Sequence, residues 1–235
     1  MARRILLISS SRIHGSTYMG YCAQEVQSFF GEQRHVLFVP YAAKDYDAYA
    51  GKVAPPLSDL GLTVSSIHTH ADPKRAIREA EALFIGGGNT FLLLKTLYDL
   101  DLLDLIRDRV FADMPYMGSS AGSNVACLTM KTTNDMPIVY PPSFDALNLV
   151  PFNLNPHYQD PDPTSTHMGE TREDRIREFH EHNEIPVVGL REGGLLHVED
   201  DHMWLKGVTG CRLFRPGQAP EEFSPVADLS FLLHP

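Results

Sequence analysis

The chain has 235 residues, of which 43% are hydrophobic and 21% charged, and its formal net charge is −10. That composition supports a sizeable core and excludes a disordered chain, and the acidic balance withholds the basic footprint that nucleic-acid binding needs. Three cysteines, Cys22, Cys127 and Cys211, lie too far apart for a CxxC metal clip and offer no disulfide framework, which points to a reducing, cytoplasmic setting.

The N-terminal apolar run, Ile5 to Ile8, is too short for a signal segment and reads as a buried strand; no run elsewhere is long enough for a membrane span. In chain order, "RILLIS", "HVLFVP", "LTVSSIH" and "EALFIGGG" read as strands bounded by Gly, Pro or polar clusters. Helical spacing lies between them in "STYMGYCAQEVQSFF", "AKDYDAYAGKV" and "DPKRAIREAEA". The last opens with Asp72 as N-cap and Pro73 in the first turn. "TFLLLKTLYDLDLLDLIRDRV" reads as one long helix or two short ones, and a fifth strand follows around Pro115 to Gly118. This alternation predicts an α/β fold with a mostly parallel sheet and helices on both faces.

Beyond Met130 the chain is richer in loops and proline. A short strand is predicted near "NLVPFNLNP", a flexible surface stretch over Asp160 to Glu170, and a helix from Arg172 to about His182. "IPVVGL" reads as a buried strand and "LLHVEDDHMWLKG" as a hairpin. No repeat or linker divides residues 1–235, so one domain is expected.

Gly118-Ser119-Ser120-Ala121-Gly122 fits G-x-S-x-G where a strand hands over to a helix. A chance match in a chain of this length is on the order of one in ten, so the motif alone does not separate a reactive serine from a tight packing turn. If the turn is an elbow, Ser120 is exposed at the carboxyl edge of the sheet and the Ala121 N–H points at an oxyanion. "FIGGGNT" ends the preceding strand, so its loop is expected beside Ser120, with the Gly88 N–H as a second donor and Asn89-Thr90 capping a helix. A phosphate-binding loop is the rival reading; no Walker lysine or G-x-G-x-x-G register follows it.

A serine nucleophile needs a base. Of 11 histidines, His180 and His182 read as solvated, and His68 and His70 form a conceivable metal pair without a third ligand. His157 in "NLNPHYQD" follows a short strand at an edge loop, where a structural histidine is, taken alone, the more ordinary reading. The carboxylate candidates are Glu192, at the end of "VVGLREGG", and Asp135, in "TTNDMPIV". In "GETREDRIRE" the T-x-x-D signal from Thr171 to Asp174 puts Arg172 in a first helical turn. A cation there opposes the helix dipole and suits a docked anion; ordinary pairing with Glu170 or Glu173 is the alternative.

Taken together, "GGGNTFLLLK", "GSSAGSNVAC", "TTNDMPIV", "FDALNLVPFNLNPH", "GETREDRIRE" and "GLREG" resemble the peptidase E, or α-aspartyl dipeptidase, family of serine peptidases over nearly the whole chain. The resemblance implies a flavodoxin-like fold related to class I glutamine amidotransferases. It also implies a Ser120 nucleophile, a His157 base, Glu192 in place of the usual Asp, and backbone donors at Gly88 and Ala121. Arg172, with Asn89, would then read the aspartyl side chain of a dipeptide substrate, with no cofactor or metal; Asp135 stays open as an alternative acid or a substrate contact. The stretch Asp160 to Met168 departs from the family pattern, and the loop Asp160 to Glu170 is a candidate lid. A cyanophycinase-like peptidase acting on β-aspartyl linkages and a non-catalytic anion-binding module are the competing functions. Monomer and homodimer are both compatible with the sequence.

Overall fold

Alternating apolar side chains decide the architecture. The computed structural model describes residues 3–166 and 168–234. In β1 (Arg4–Ile8), Ile5 and Leu7 enter one core while Leu6 and Ile8 enter another, as a period of two residues requires. Covering both faces explains why this strand, β2 (His35–Val39) and β4 (Ala82–Ile85) read as continuous apolar runs. With β3 (Thr63–Ser66) and β5 (Tyr116–Ser119) they form the parallel part of a seven-stranded sheet. The hairpin of β8 (Gly194–Glu199) and β9 (His202–Gly207) completes it antiparallel, in the order β3-β2-β4-β5-β1-β8-β9.

One face of this sheet is covered by α1 (Ala23–Phe30), through Val26, Phe29 and Phe30, and by α2 (Tyr46–Asp59), through Val53 and Leu57. α2 runs past the predicted end and through Pro55 and Pro56, because Leu57 one turn beyond Val53 continues its buried stripe. The other face carries α3 (Pro73–Glu79), α4 (Thr90–Asp99), α5 (Leu103–Phe111) and α6 (Ala121–Val125). The long apolar stretch after Gly88 is thus two helices, broken where Asp101 takes a positive φ of 51°. The break lets Leu97 and Ile106 both reach the core.

The second half builds a sheet that the sequence reading did not anticipate. β6 (Asn153–Tyr158) pairs parallel with β7 (Val187–Arg191), and β10 (Cys211–Phe214) and β11 (Glu221–Phe223) follow antiparallel, in the order β11-β10-β7-β6. Its inner face, with Leu154, Val188, Leu190 and Leu213, joins the core that holds α4 to α6. Its outer face, with Tyr158, Val187 and Phe214, packs under Ile176 of α7 (Arg172–His180). Leu154 and Tyr158 have the same parity yet face opposite ways, because the β6–β7 register shifts between Pro156 and Tyr158. β7 belongs to one sheet and β8 to the other, so residues 192 and 193 form the seam between them.

Candidate active site

Ser120 stands between β5 and α6 with φ 53° and ψ −108°, a conformation that costs a non-glycine residue roughly 1–3 kcal/mol. Its N–H donates to the Ile8 carbonyl (2.9 Å), and its own carbonyl accepts from the Asn124 N–H (2.9 Å), so the sheet and the new helix grip it from both sides. Close approach fixes the last glycine of the motif: a side chain at Gly122 would collide with the Ile85 carbonyl oxygen. The loop after β4 passes directly beside the serine, since a Cβ at Gly87 would lie 3.1 Å from Ser120 Cβ. Gly88 has φ 135°, with no room for a side chain against Ala42. Among the described residues, neither the Gly88 nor the Ala121 N–H donates to a backbone carbonyl outside regular helices and strands.

His157 lies inside β6, not on the loop after it. It occupies the register shift, with φ 54°, and such bulges turn a side chain out of the regular alternation. Its Nε2 is 3.0 Å from Ser120 Oγ and its Nδ1 is 2.7 Å from Glu192 Oε1. A carboxylate only accepts, so the Nδ1–H donates to Glu192 and Nε2 is left to accept from the serine hydroxyl. The imidazole and the carboxylate are half-exposed, at 39% and 51% of their side-chain surfaces. The His157 N–H, displaced from the ladder, donates to Ser9 Oγ (2.9 Å).

Asp135, the rival acid, turns elsewhere. Its Oδ2 accepts from the Thr90 N–H (2.7 Å), the Thr90 hydroxyl (2.6 Å) and the Thr133 hydroxyl (3.2 Å), at the start of α4. Asn89 is the N-cap there: its Oδ1 accepts from the Leu92 N–H (3.0 Å) and its Nδ2 donates to the Met136 carbonyl (2.8 Å). The same segment reaches β6, because Asn134 Nδ2 donates to the Pro156 carbonyl (2.7 Å) and Asn155 Nδ2 to Asn134 Oδ1 (2.8 Å). Residues 133–136 therefore strap the glycine loop to the bulge. The Ser9 hydroxyl sits in no motif, and the strap lies within "TTNDMPIV" but its role is marked only by its hydrogen-bond partners.

A cleft of about 480 Å³ opens next to Asn134, lined among others by Gln159, Asp160, Thr171, Arg172 and Arg175. Thr171 and Asp174 form the predicted capping box, which sets Arg172 at the first position of α7. Among the described residues Arg172 makes no ion pair, whereas Arg175 reaches Glu170 (3.6 Å), and Arg177 and Arg212 take Glu173. Burial and the adjacent Arg175 press the Arg172 pKa below its ordinary value, against the pull of Asp135. A partly desolvated, unpaired guanidinium beside a second cation is a ready host for an anion. Asp160, at the start of the predicted flexible stretch, is clamped by Arg191 through Nε and Nη2, each at 2.7 Å.

His68 is engaged by Ser66 Oγ (2.7 Å) and Asp47 (2.9 Å). Among the described residues no three His, Cys, Asp or Glu side chains converge to hold a metal ion, and no helix is long and apolar enough to cross a membrane.

Comparison with known proteins places this geometry in context. Residues 5–206 match the family described as peptidase family S51. The chain is 49% identical over 235 residues to the "Probable alpha-aspartyl dipeptidase" of Drosophila melanogaster, covering 99% of this chain and 98% of that one. It is 50% identical over 229 residues to peptidase E of Streptomyces coelicolor, with 97% and 94% covered. The crystal structure of a peptidase from an acI-B1 actinobacterium shares the fold, with a TM-score of 0.76 at 15% identity over 98% of each chain.

Proposed function

This chain belongs to peptidase family S51 and is a serine peptidase, and from that premise we propose that it hydrolyses dipeptides with an N-terminal aspartate through a Ser120–His157–Glu192 triad. The relay of 3.0 Å from Ser120 Oγ to His157 Nε2 and 2.7 Å from His157 Nδ1 to Glu192 carries the reading.

His157 Nε2 takes the proton from Ser120 as Oγ attacks the carbonyl carbon of the aspartyl residue. The oxyanion accepts from the Gly88 and Ala121 N–H groups. Collapse breaks the C–N bond, His157 gives its proton to the leaving amine, and an aspartyl ester of Ser120 remains. Water then attacks that ester, losing a proton to His157, and aspartate leaves as the Ser120 hydroxyl is restored. Glu192 holds the Nδ1–H tautomer and stabilises the imidazolium in both halves.

The acidic net charge repels an aspartyl substrate at long range, so selection needs a local cation. Arg172 fills that role, binding the substrate side-chain carboxylate in the cleft beside Asn134. Asn89, whose amide is committed to α4 and to Met136, acts on the substrate through the position of the glycine loop.

A dipeptide panel tests the assignment. Asp-Leu is expected to be cleaved at least about 100-fold faster in kcat/KM than Asn-Leu, the loss of a charge-assisted pair in a desolvated site, and Arg172→Met shrinks that ratio. Equal rates for Asp-Leu and Asn-Leu overturn the cationic pocket. Faster cleavage of isoaspartyl-Leu than of Asp-Leu favours β-linkage chemistry instead.

A further inference from the structure

The residues that carry the proposed proton relay come from two different sheets, and one buried side chain lies at their junction. We infer that Ser9 is a positioning residue that holds the His157 bulge and the strand leading to Glu192 in register over Ser120. The inference rests on the triad reading above.

Ser9 follows β1 directly and is fully buried. Its N–H donates to the Gly194 carbonyl (3.1 Å), just past the Glu192-Gly193 seam. Its hydroxyl donates to the Leu190 carbonyl (2.8 Å), two residues before Glu192, and accepts from the His157 N–H (2.9 Å). The residue before it, Ile8, accepts through its carbonyl from the Ser120 N–H (2.9 Å). Two consecutive residues thus bind the backbone at or flanking all three relay positions.

The hydroxyl is required by the bulge. Turning His157 out of the β6–β7 pairing frees its N–H from the ladder in a part-buried setting, and the positive φ of 54° is held best if something else receives that donor. Ser9 supplies the acceptor and, with its one proton, secures β7 at the same time. Removing the hydroxyl takes the acceptor from the His157 N–H and a donor from the Leu190 carbonyl at once. Ser10 is the internal contrast: it is 2% exposed, yet its hydroxyl makes no hydrogen bond to the segments that carry Ser120, His157 or Glu192.

The test measures kcat and KM for Asp-Leu in Ser9→Ala, Ser9→Thr, Ser9→Cys and Ser10→Ala, and repeats Ser9→Ala in a His157→Ala background. Ser9→Ala is expected to lower kcat by about 10- to 100-fold with KM within about twofold, the signature of a reacting group displaced while ground-state binding survives. Ser9→Thr, which keeps the hydroxyl, recovers most of that loss. Ser9→Cys, of similar size but a weak donor and acceptor, falls between them. Ser10→Ala stays within about twofold of wild type, since it removes a hydroxyl that bonds none of the relay segments.

In the His157→Ala background the Ser9→Ala change has no further effect, because the two act through one imidazole. An equal loss in both backgrounds overturns the inference and makes Ser9 a general stabiliser. Wild-type kcat in Ser9→Ala, or in a folded Ser9→Cys if the alanine variant does not fold, overturns it as well. Wild-type turnover in His157→Ala alone condemns the triad itself, which separates that failure from this one.

Discussion

The two halves of the site are built by different rules. The half that carries the proposed nucleophile uses parallel βα units: β4 and β5 end side by side, and their glycine loops bring Ser120 within reach of the Gly86–Gly88 segment. The half that carries the proposed base and carboxylate uses a small mixed sheet in which one strand carries a bulge and the next ends at a seam. In the first half, position follows from local spacing, and a single extra carbon breaks it. In the second, position follows from hydrogen bonds between segments far apart in sequence, and a polar group must be lost to break it.

That contrast is sharpest in activity. Ser120→Ala removes the proposed attacking atom and is expected to lower kcat for Asp-Leu by on the order of 10⁶-fold while the thermal transition stays in place. A steady-state assay with active-site-free controls checks it. Glu192→Gln keeps the shape of the second half but replaces the acceptor of the Nδ1–H, so a loss of about 10³- to 10⁴-fold is expected, with KM little changed. If Glu192→Gln is silent, the seam has only a structural role and the comparison between the halves fails.

Stability separates the halves in the other direction. Gly122→Ala pushes a methyl group into the Ile85 carbonyl, with no flexible side chain to give way. A loss of about 3 kcal/mol in denaturant unfolding is expected, with a steep fall in soluble protein. Thr171→Ala removes one side of the capping box before α7 and costs about 1 kcal/mol. It also loosens the position of Arg172, so the preference for Asp-Leu over Asn-Leu is expected to narrow more than kcat falls. A preference that holds while stability drops would detach Arg172 from specificity.

The same difference explains what could be read before the structure. The parallel strands were legible because burial on both faces leaves apolar runs, and Asp72, Asn89 and Thr171 were legible because capping chemistry is local. G-x-S-x-G was legible as a turn whose glycines have a steric purpose. The second sheet was not, because β10 and β11 are only four and three residues long and their partners lie elsewhere in the chain. Sequence alone puts His157 on a loop, since nothing in "NLNPHYQD" announces a register shift; the shift exists only against β7. Asp135 and Glu192 looked alike as carboxylates near glycine or proline. Only the partners distinguish them, Thr90 and Thr133 for one and the imidazole for the other.

The covalent step is the most direct point of attack on the account. Mixing the enzyme with excess Asp-Leu, quenching in acid within the first turnovers and mapping the peptides by mass should find one added aspartyl residue on the fragment that contains Ser120. The adduct should be absent from Ser120→Ala. Rapid release of leucine with the adduct on a different residue, or an adduct that persists in Ser120→Ala, would contradict it.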